Sequence, residues 1–424
     1  MDLVQLLLAV VAVCLAIYYY YQSKYEFWRA RGVPGPKPRI YIGNFIDVLT
    51  KKRAICTIVK DLYDEFKKEP IFGIYEGTTP VLVINDLDAI KDVLIRDFSV
   101  FVDRGFHVFT EADPLSQHLF LLEPKRWRPL RVKLSPIFTS GKLKEMFPLV
   151  VECAGNLEKY LDKVTKDGTP VECRDLAAKF TIDVIGSCVF GISAHALEDE
   201  NSEFRKMGKR ISTSSTKQRV REAIMQFMPS VYEVIGHFLQ MKDIDAFFIN
   251  LVRDTMRYRK ENNVIRPDFI HMLMELKEHP EKVDSIETLR KYPILSMLNR
   301  RAIVNYTFRD MKITIPKGTK IWIPVYGIQH DPNIYPDPEK FDPERFNDDA
   351  AAARHPMSFL PFGDGPRNCI GARFAHYQSK VGLATILRNY KVDVCEKTTI
   401  PYEVNKFSFL MQPNGGVNLK LTRA

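Results

Sequence analysis

Residues 362–371 read FGDGPRNCIG. Three glycines and a proline surround one cysteine, Cys369, and an apolar run of Met357, Phe359, Leu360 and Pro361 leads into it. A thiolate serves as a nucleophile, a zinc ligand or an iron ligand. A nucleophile needs a histidine base. His355 and His376 are the nearest in sequence, but the residues around Cys369 match no cysteine-hydrolase signature. Zinc needs further ligands nearby. A haem iron needs only one axial thiolate, in a loop tight enough to bring backbone N–H groups onto the sulfur. Gly363, Gly365 and Gly371 permit positive φ and close approach of the backbone to a flat macrocycle. Arg367, two residues before the cysteine, is a candidate partner for a haem propionate. After Gly371 the spacing of Phe374, Tyr377, Val381, Leu383 and Ile386 predicts a helix whose positive N-terminal end faces the thiolate.

Composition narrows the classes further. The chain has 424 residues, 46% hydrophobic and 27% charged, which suffices for one large domain or two ordinary ones. Its seven cysteines are scattered, odd in number and form no CxxC. That argues against a disulfide framework and a zinc site of the usual spacing, and for a reducing compartment. The net charge of +9 fits a solvated basic surface, or one that meets an anionic membrane or an acidic protein. No basic cluster is interleaved with aromatics in a nucleic-acid-binding motif, so nucleic acid is not an expected partner.

Leu3–Tyr21 reads LVQLLLAVVAVCLAIYYYY. Roughly 19 mostly apolar residues span most of a bilayer, and the tyrosines suit its interface. Asp2 replaces the positive n-region of a signal peptide and no small-x-small cleavage site follows, so residues 1–22 are expected to be a retained anchor. Lys24, Arg29, Arg31 and Lys37 follow, and the positive-inside rule places the remaining chain in the cytosol. Residues 23–38 form a linker with the proline hinge VPGPKP (33–38), a semi-rigid spacer. The body, 39–424, is expected to be mainly α with a small β portion. Strands are predicted over 75–85 and 311–323. Helices are predicted over 142–164, kinked at or starting from Pro148, over 176–190 with Asp175 as N-cap, and over 244–259.

FGDGPRNCIG fits F-x-x-G-x-R-x-C-x-G, and in this the chain resembles the cytochrome P450 haem-thiolate monooxygenases. Other residues carry the same resemblance. Trp127 and Arg131 form W-x-x-x-R, and i,i+4 spacing puts both on one helical face. Glu287 and Arg290 form E-x-x-R, followed by Arg345 in PERF. FVDRG (101–105) and ETLRKYP (287–293) resemble the insect microsomal branch that oxidises lipophilic foreign compounds. The resemblance implies Cys369 as the iron ligand, with Trp127, Arg131, Arg300 and Arg367 at the haem propionates. It implies a buried structural triad of Glu287, Arg290 and Arg345. It implies endoplasmic-reticulum anchoring and electrons from NADPH through a flavoprotein reductase, with Lys125, Arg126, Lys133 and Arg373 as candidate docking cations. Phe106, Val108 and Phe109 correspond to a pocket-lining loop.

One piece of the pattern is absent. The family's central helix carries A/G-G-x-D/E-T-T, whose acid and alcohol relay protons during oxygen activation. Here Pro280–Ser285 runs straight into Ile286 and Glu287. Gly77-Thr78-Thr79 and Ser212–Thr216 are no substitutes: one is read as strand, the other has no acid beside it. The expectation is a monooxygenase acting on lipophilic substrates, shortened near 285–287 by exon skipping or an imperfect gene model and lacking its proton-relay threonine. The alternatives are a haem-thiolate isomerase or dehydratase acting on peroxides, which needs no relay, and a non-catalytic pseudo-enzyme.

Overall fold

The computed structural model describes residues 3–268 and 287–424, apart from Tyr41, Glu200, residues 213–215, Ile265, Pro267 and Asp310. Of the junction expected at 285–287, only Glu287 lies within the described residues. The architecture is mainly α with a small β portion. The chain divides into two compact units, one of residues 1–106, 286–368 and 405–411, the other of 107–285, 369–404 and 412–424.

In the first unit the stretch expected to be one strand over 75–85 is a hairpin. Ile71–Glu76 pairs antiparallel with Thr79–Ile84, and Gly77, at φ +60°, makes the reversal. Thr79–Ile84 lies parallel to Lys320–Ile323, which pairs antiparallel with Leu298–Arg301. Side chains alternate across this sheet and both faces are covered. Ile71, Leu82, Ile84, Ile321 and Ile323 enter one apolar cluster; Phe72, Ile74, Val81, Val83 and Trp322 enter another. The sheet is the rigid platform that carries Arg300 on its edge strand.

The N-terminal helix is longer than the sequence indicated. It runs Leu3–Arg29 and is apolar and long enough to cross a membrane. The segment expected to begin the linker is therefore still helical at Trp28, which is buried.

The second unit is built on the helix Ser140–Val164, which starts before Pro148 and contains it. Leu143, Met146, Val150, Leu157 and Leu161 fall at helical spacing and bury against Leu176, Phe180 and Val184 and against Phe374, Tyr377, Val381 and Ile386. Leu383, expected on that buried face, is exposed. The helix with the latter four residues is Ala372–Asn389. The helix expected from 176 instead begins at Cys173. Its cap is Glu172 rather than Asp175, because the Glu172 carboxylate accepts from the N–H groups of Arg174 (2.9 Å) and Asp175 (2.8 Å). It also accepts from Val417 N–H (2.8 Å), tying the helix start to the sheet. The third predicted helix is Lys242–Asn262.

Candidate functional site

The first unit supplies the approach to the cysteine loop. Met357 and Leu360 are buried, and Gly363 and Gly365 take the positive φ anticipated for them, +68° and +73°. A Cβ on Gly365 would lie 1.9 Å from the carbonyl oxygen of Leu94, so only glycine lets the loop seat there. The loop delivers Arg367 to a buried position where its guanidinium donates to Val102 O. Its own carbonyl accepts from Arg104 (2.8 Å).

Arg300 joins them from the edge strand, 3% exposed, with one bond to Asn299 O (2.8 Å). Its buried Nε has no hydrogen-bond partner among the described residues. Burial, then the charges of Arg104 and Arg367, push Arg300 down to about 9. Burial pushes Arg367 down to about 10, against a smaller opposing pull from Asp103. Asp103 is itself ion-paired with Arg301. Arg104 and Arg367 thus bring like charge to the buried Arg300, and a buried guanidinium with an unsatisfied Nε is costly. Arg104 belongs to the FVDRG stretch but was not anticipated as part of this cluster, because nothing local to it points 263 positions down the chain.

Also in the first unit, Glu287 and Arg290 are fully buried and joined at 2.8 Å, with Arg345 Nε at 3.6 Å from Glu287. This is the charged triad read from E-x-x-R and PERF. Arg290 donates further to Gln329 O (2.9 Å) and Pro338 O (2.7 Å).

The second unit holds Cys369, Trp127 and Arg131. Cys369 is exposed, three residues before the start of the helix Ala372–Asn389. Gly371, expected to need positive φ, has φ −93° and serves as that helix's N-cap residue; the sharp bending is done by Gly363 and Gly365 instead. Trp127 and Arg131 lie on the helix Pro124–Leu134, Trp127 buried and Arg131 half-buried. Burial lowers the Arg131 pKa and the nearby Cys369 acts to raise it, so these two residues share one locality.

The other cysteines are held as thiols by burial or lie elsewhere in the chain. Burial pushes Cys153 and Cys188 up to about 12 and Cys173 to about 11, and raises Cys56 as well. Cys14 is on the N-terminal apolar helix. Cys395, half-buried, is held low by a hydrogen bond from Thr398. His376 is buried on its helix, and His355 faces Asp88 at 3.4 Å. No metal-binding cluster of three or more His, Cys, Asp or Glu occurs among the described residues.

Of the expected pocket residues, Phe109 is core: it packs with Ala112 and Tyr232, its ring 4.7 Å from that of Tyr232. Phe106 and Val108 are half-buried. Among the docking candidates, Lys125, Arg126 and Lys133 are exposed on Pro124–Leu134, as is Arg128, which was not anticipated; Arg373 is half-buried.

The family model described as Cytochrome P450 matches residues 33–286 and 285–419. The chain therefore belongs to the cytochrome P450 family, and it is an oxidoreductase of the monooxygenase class whose cofactor is haem. Its relatives are insect proteins. It is 34% identical to probable cytochrome P450 6a14 of Drosophila melanogaster over 509 aligned positions, covering 98% of this chain and 99% of that protein. It is 36% identical to probable cytochrome P450 6a13 of the same species over 488 positions, covering 98% of each. Against cytochrome P450 6A1 of Musca domestica the identity is 32% over 483 positions, 95% of each. Each alignment is longer than the 424 residues this chain has.

The residues present fit haem. Arg300, buried with an unsatisfied Nε beside the charges of Arg104 and Arg367, suits an anionic group such as a propionate, and Cys369 is an exposed thiol after a glycine-bent loop.

Proposed function

We propose that Cys369 is the axial haem ligand and that Trp127, Arg131, Arg300 and Arg367, with Arg104, contact the propionates. The observation that carries this is Arg300, 3% exposed with its buried Nε lacking a hydrogen-bond partner among the described residues, and with the like charges of Arg104 and Arg367 acting on it. When bound, haem supplies oxygen activation, by which one atom of O₂ enters a lipophilic substrate, foreign compound or endogenous lipid, in a detoxification role. The chain's own residues do the holding. Cys369 would hold the iron as its thiolate and supply it electron density, and the arginine forks would hold the propionates with charge-assisted hydrogen bonds. Electrons come from NADPH through a membrane-bound flavoprotein reductase. The exposed cations Lys125, Arg126, Arg128 and Lys133 support an acidic partner of that kind.

This chain is a shortened form of a longer enzyme. The family match in two pieces that meet at 285–286 supports this, as do alignments longer than the chain. Thr78 and Thr79 sit in the hairpin turn and strand, not on a helix, so they are no proton relay. The expected result for the purified chain with NADPH and reductase is haem without monooxygenation of a lipophilic substrate. Inserting a relative's corresponding segment between Ser285 and Glu287 should restore turnover. Comparable turnover by the chain as it stands would overturn the shortened-enzyme reading.

The anchor helix and its following cations support a body on the cytoplasmic face of the endoplasmic reticulum. A glycosylation sequon tests this. Asn305-Tyr306-Thr307 is an N-x-T sequence, and Asn305 is exposed. In a eukaryotic microsomal preparation Asn305 should stay unmodified, with no mobility shift on endoglycosidase treatment. A shift that Asn305→Gln abolishes would put the body in the lumen.

A further inference from the structure

We propose that the anchor helix is a rigid post rather than a tether. With Ile40 it forms one lipid-facing surface that fixes how the first unit sits on a bilayer. This rests on reading Leu3–Arg29 as the membrane anchor.

The helix continues unbroken past Tyr21, its last residue of apolar run, to Arg29. About two turns, roughly 12 Å, therefore stand clear of the hydrocarbon. A tether would loosen here. Instead Trp28 is 3% exposed, and its indole N–H donates to Ile74 O (3.0 Å) in the first strand of the sheet. The Trp28 backbone N–H donates to the Tyr75 hydroxyl oxygen (3.1 Å), and that hydroxyl donates to Tyr25 O (2.8 Å). The indole occupies the room left by Gly73: a Cβ there would lie 2.2 Å from the Trp28 Cγ. Attachment at Tyr25 and at Trp28, about one turn apart, fixes both the direction of the helix and its rotation about its axis.

The proline segment is bound down as well. Val33 N–H donates to Trp28 O (3.1 Å) and Gly73 N–H to Pro34 O (2.7 Å). The hinge expected between anchor and body therefore lies against the strand. Beyond it, Tyr25 donates from its hydroxyl to Arg39 O (3.0 Å). Arg39 and Gly43 close their turn with reciprocal backbone bonds of 2.9 and 2.8 Å. Ile40, near the tip, shares an apolar cleft of about 440 Å³ with Val10, Val11, Cys14, Leu15 and Tyr18 of the helix. Those helix residues belong to the apolar stretch, so Ile40 meets lipid alongside them, and the Arg39–Gly43 bonds pair the backbone groups at the neck. The occupant of this surface is the bilayer, by continuity with the apolar flank of the helix.

The test uses the full chain in phosphatidylcholine vesicles and limited trypsin cleavage at Arg29 and Arg31, followed as release of the body. Wild type is expected to release slowly. Gly73→Ala, which evicts the indole, and Trp28→Ala, which deletes it, should each release the body at least about tenfold faster, since cleavage tracks local opening. The double variant should be no faster than either single one, because both break the same contact. The body fragment should remain intact in all four proteins, which separates undocking from unfolding. Equal release by wild type and variants, additive acceleration in the double, or general digestion of the body would overturn the rigid post. Failure of wild type to float with the vesicles would overturn the anchor reading itself, and this inference with it.

Discussion

Replacing Arg290 by Ala is expected to lower the stability of the first unit by about 3–5 kcal/mol. Arg290 and Glu287 are both fully buried. Alanine would leave the Glu287 carboxylate desolvated, with the Arg345 Nε at 3.6 Å and the Asp342 N–H at 3.4 Å as its remaining contacts. It would also strip Gln329 O and Pro338 O of their donor. Removing one member of a buried pair costs far more than the pair contributes, because the survivor keeps its charge without its partner. In a detergent-solubilised thermal melt the transition should fall by about 10 °C. Arg290→Lys should recover little, since lysine cannot present a planar fork to the carboxylate and two carbonyls at once. A loss below about 1 kcal/mol would mean that the triad does not hold this unit together.

Replacing Cys369 by Ala is expected to remove thiolate ligation outright. The reduced, carbon monoxide-treated variant should show no red-shifted Soret band. Cys395→Ala is the informative control. Cys395 has its pKa lowered by a hydrogen bond from Thr398. It follows directly on the strand Tyr390–Val394. Its variant should keep the band. Loss of the band in Cys395→Ala with retention in Cys369→Ala would reverse the assignment.

The parts of this fold that could be read from sequence are those fixed by neighbours in the chain. Trp127 and Arg131 needed only helical spacing. Glu287 and Arg290, three apart, needed only one turn of helix to meet. The glycines at 363 and 365 announced a bend that side chains would block. What stayed hidden depends on distant partners. Arg104 becomes a site residue only when Arg367, 263 positions later, folds back on it. Glu172 displaced Asp175 as cap because its carboxylate also reaches Val417, while Asp175 pairs with Arg205 at 3.0 Å. Trp28 reads as part of a linker until Gly73, on a strand not yet formed in the sequence view, leaves it a place. Gly371 permits a positive φ that it does not take, because the reversal is complete at Gly365 and the helix read after Gly371 already begins there.

The most direct measurement is the carbon monoxide difference spectrum of the reduced, membrane-expressed wild-type chain. A strongly red-shifted Soret band is the expected result. It would mean that Cys369 binds iron as thiolate although the segment before Glu287 is short. No haem, or only an unshifted band, would contradict it, and the haem-thiolate assignment would then hold for a longer parent chain and not for this one.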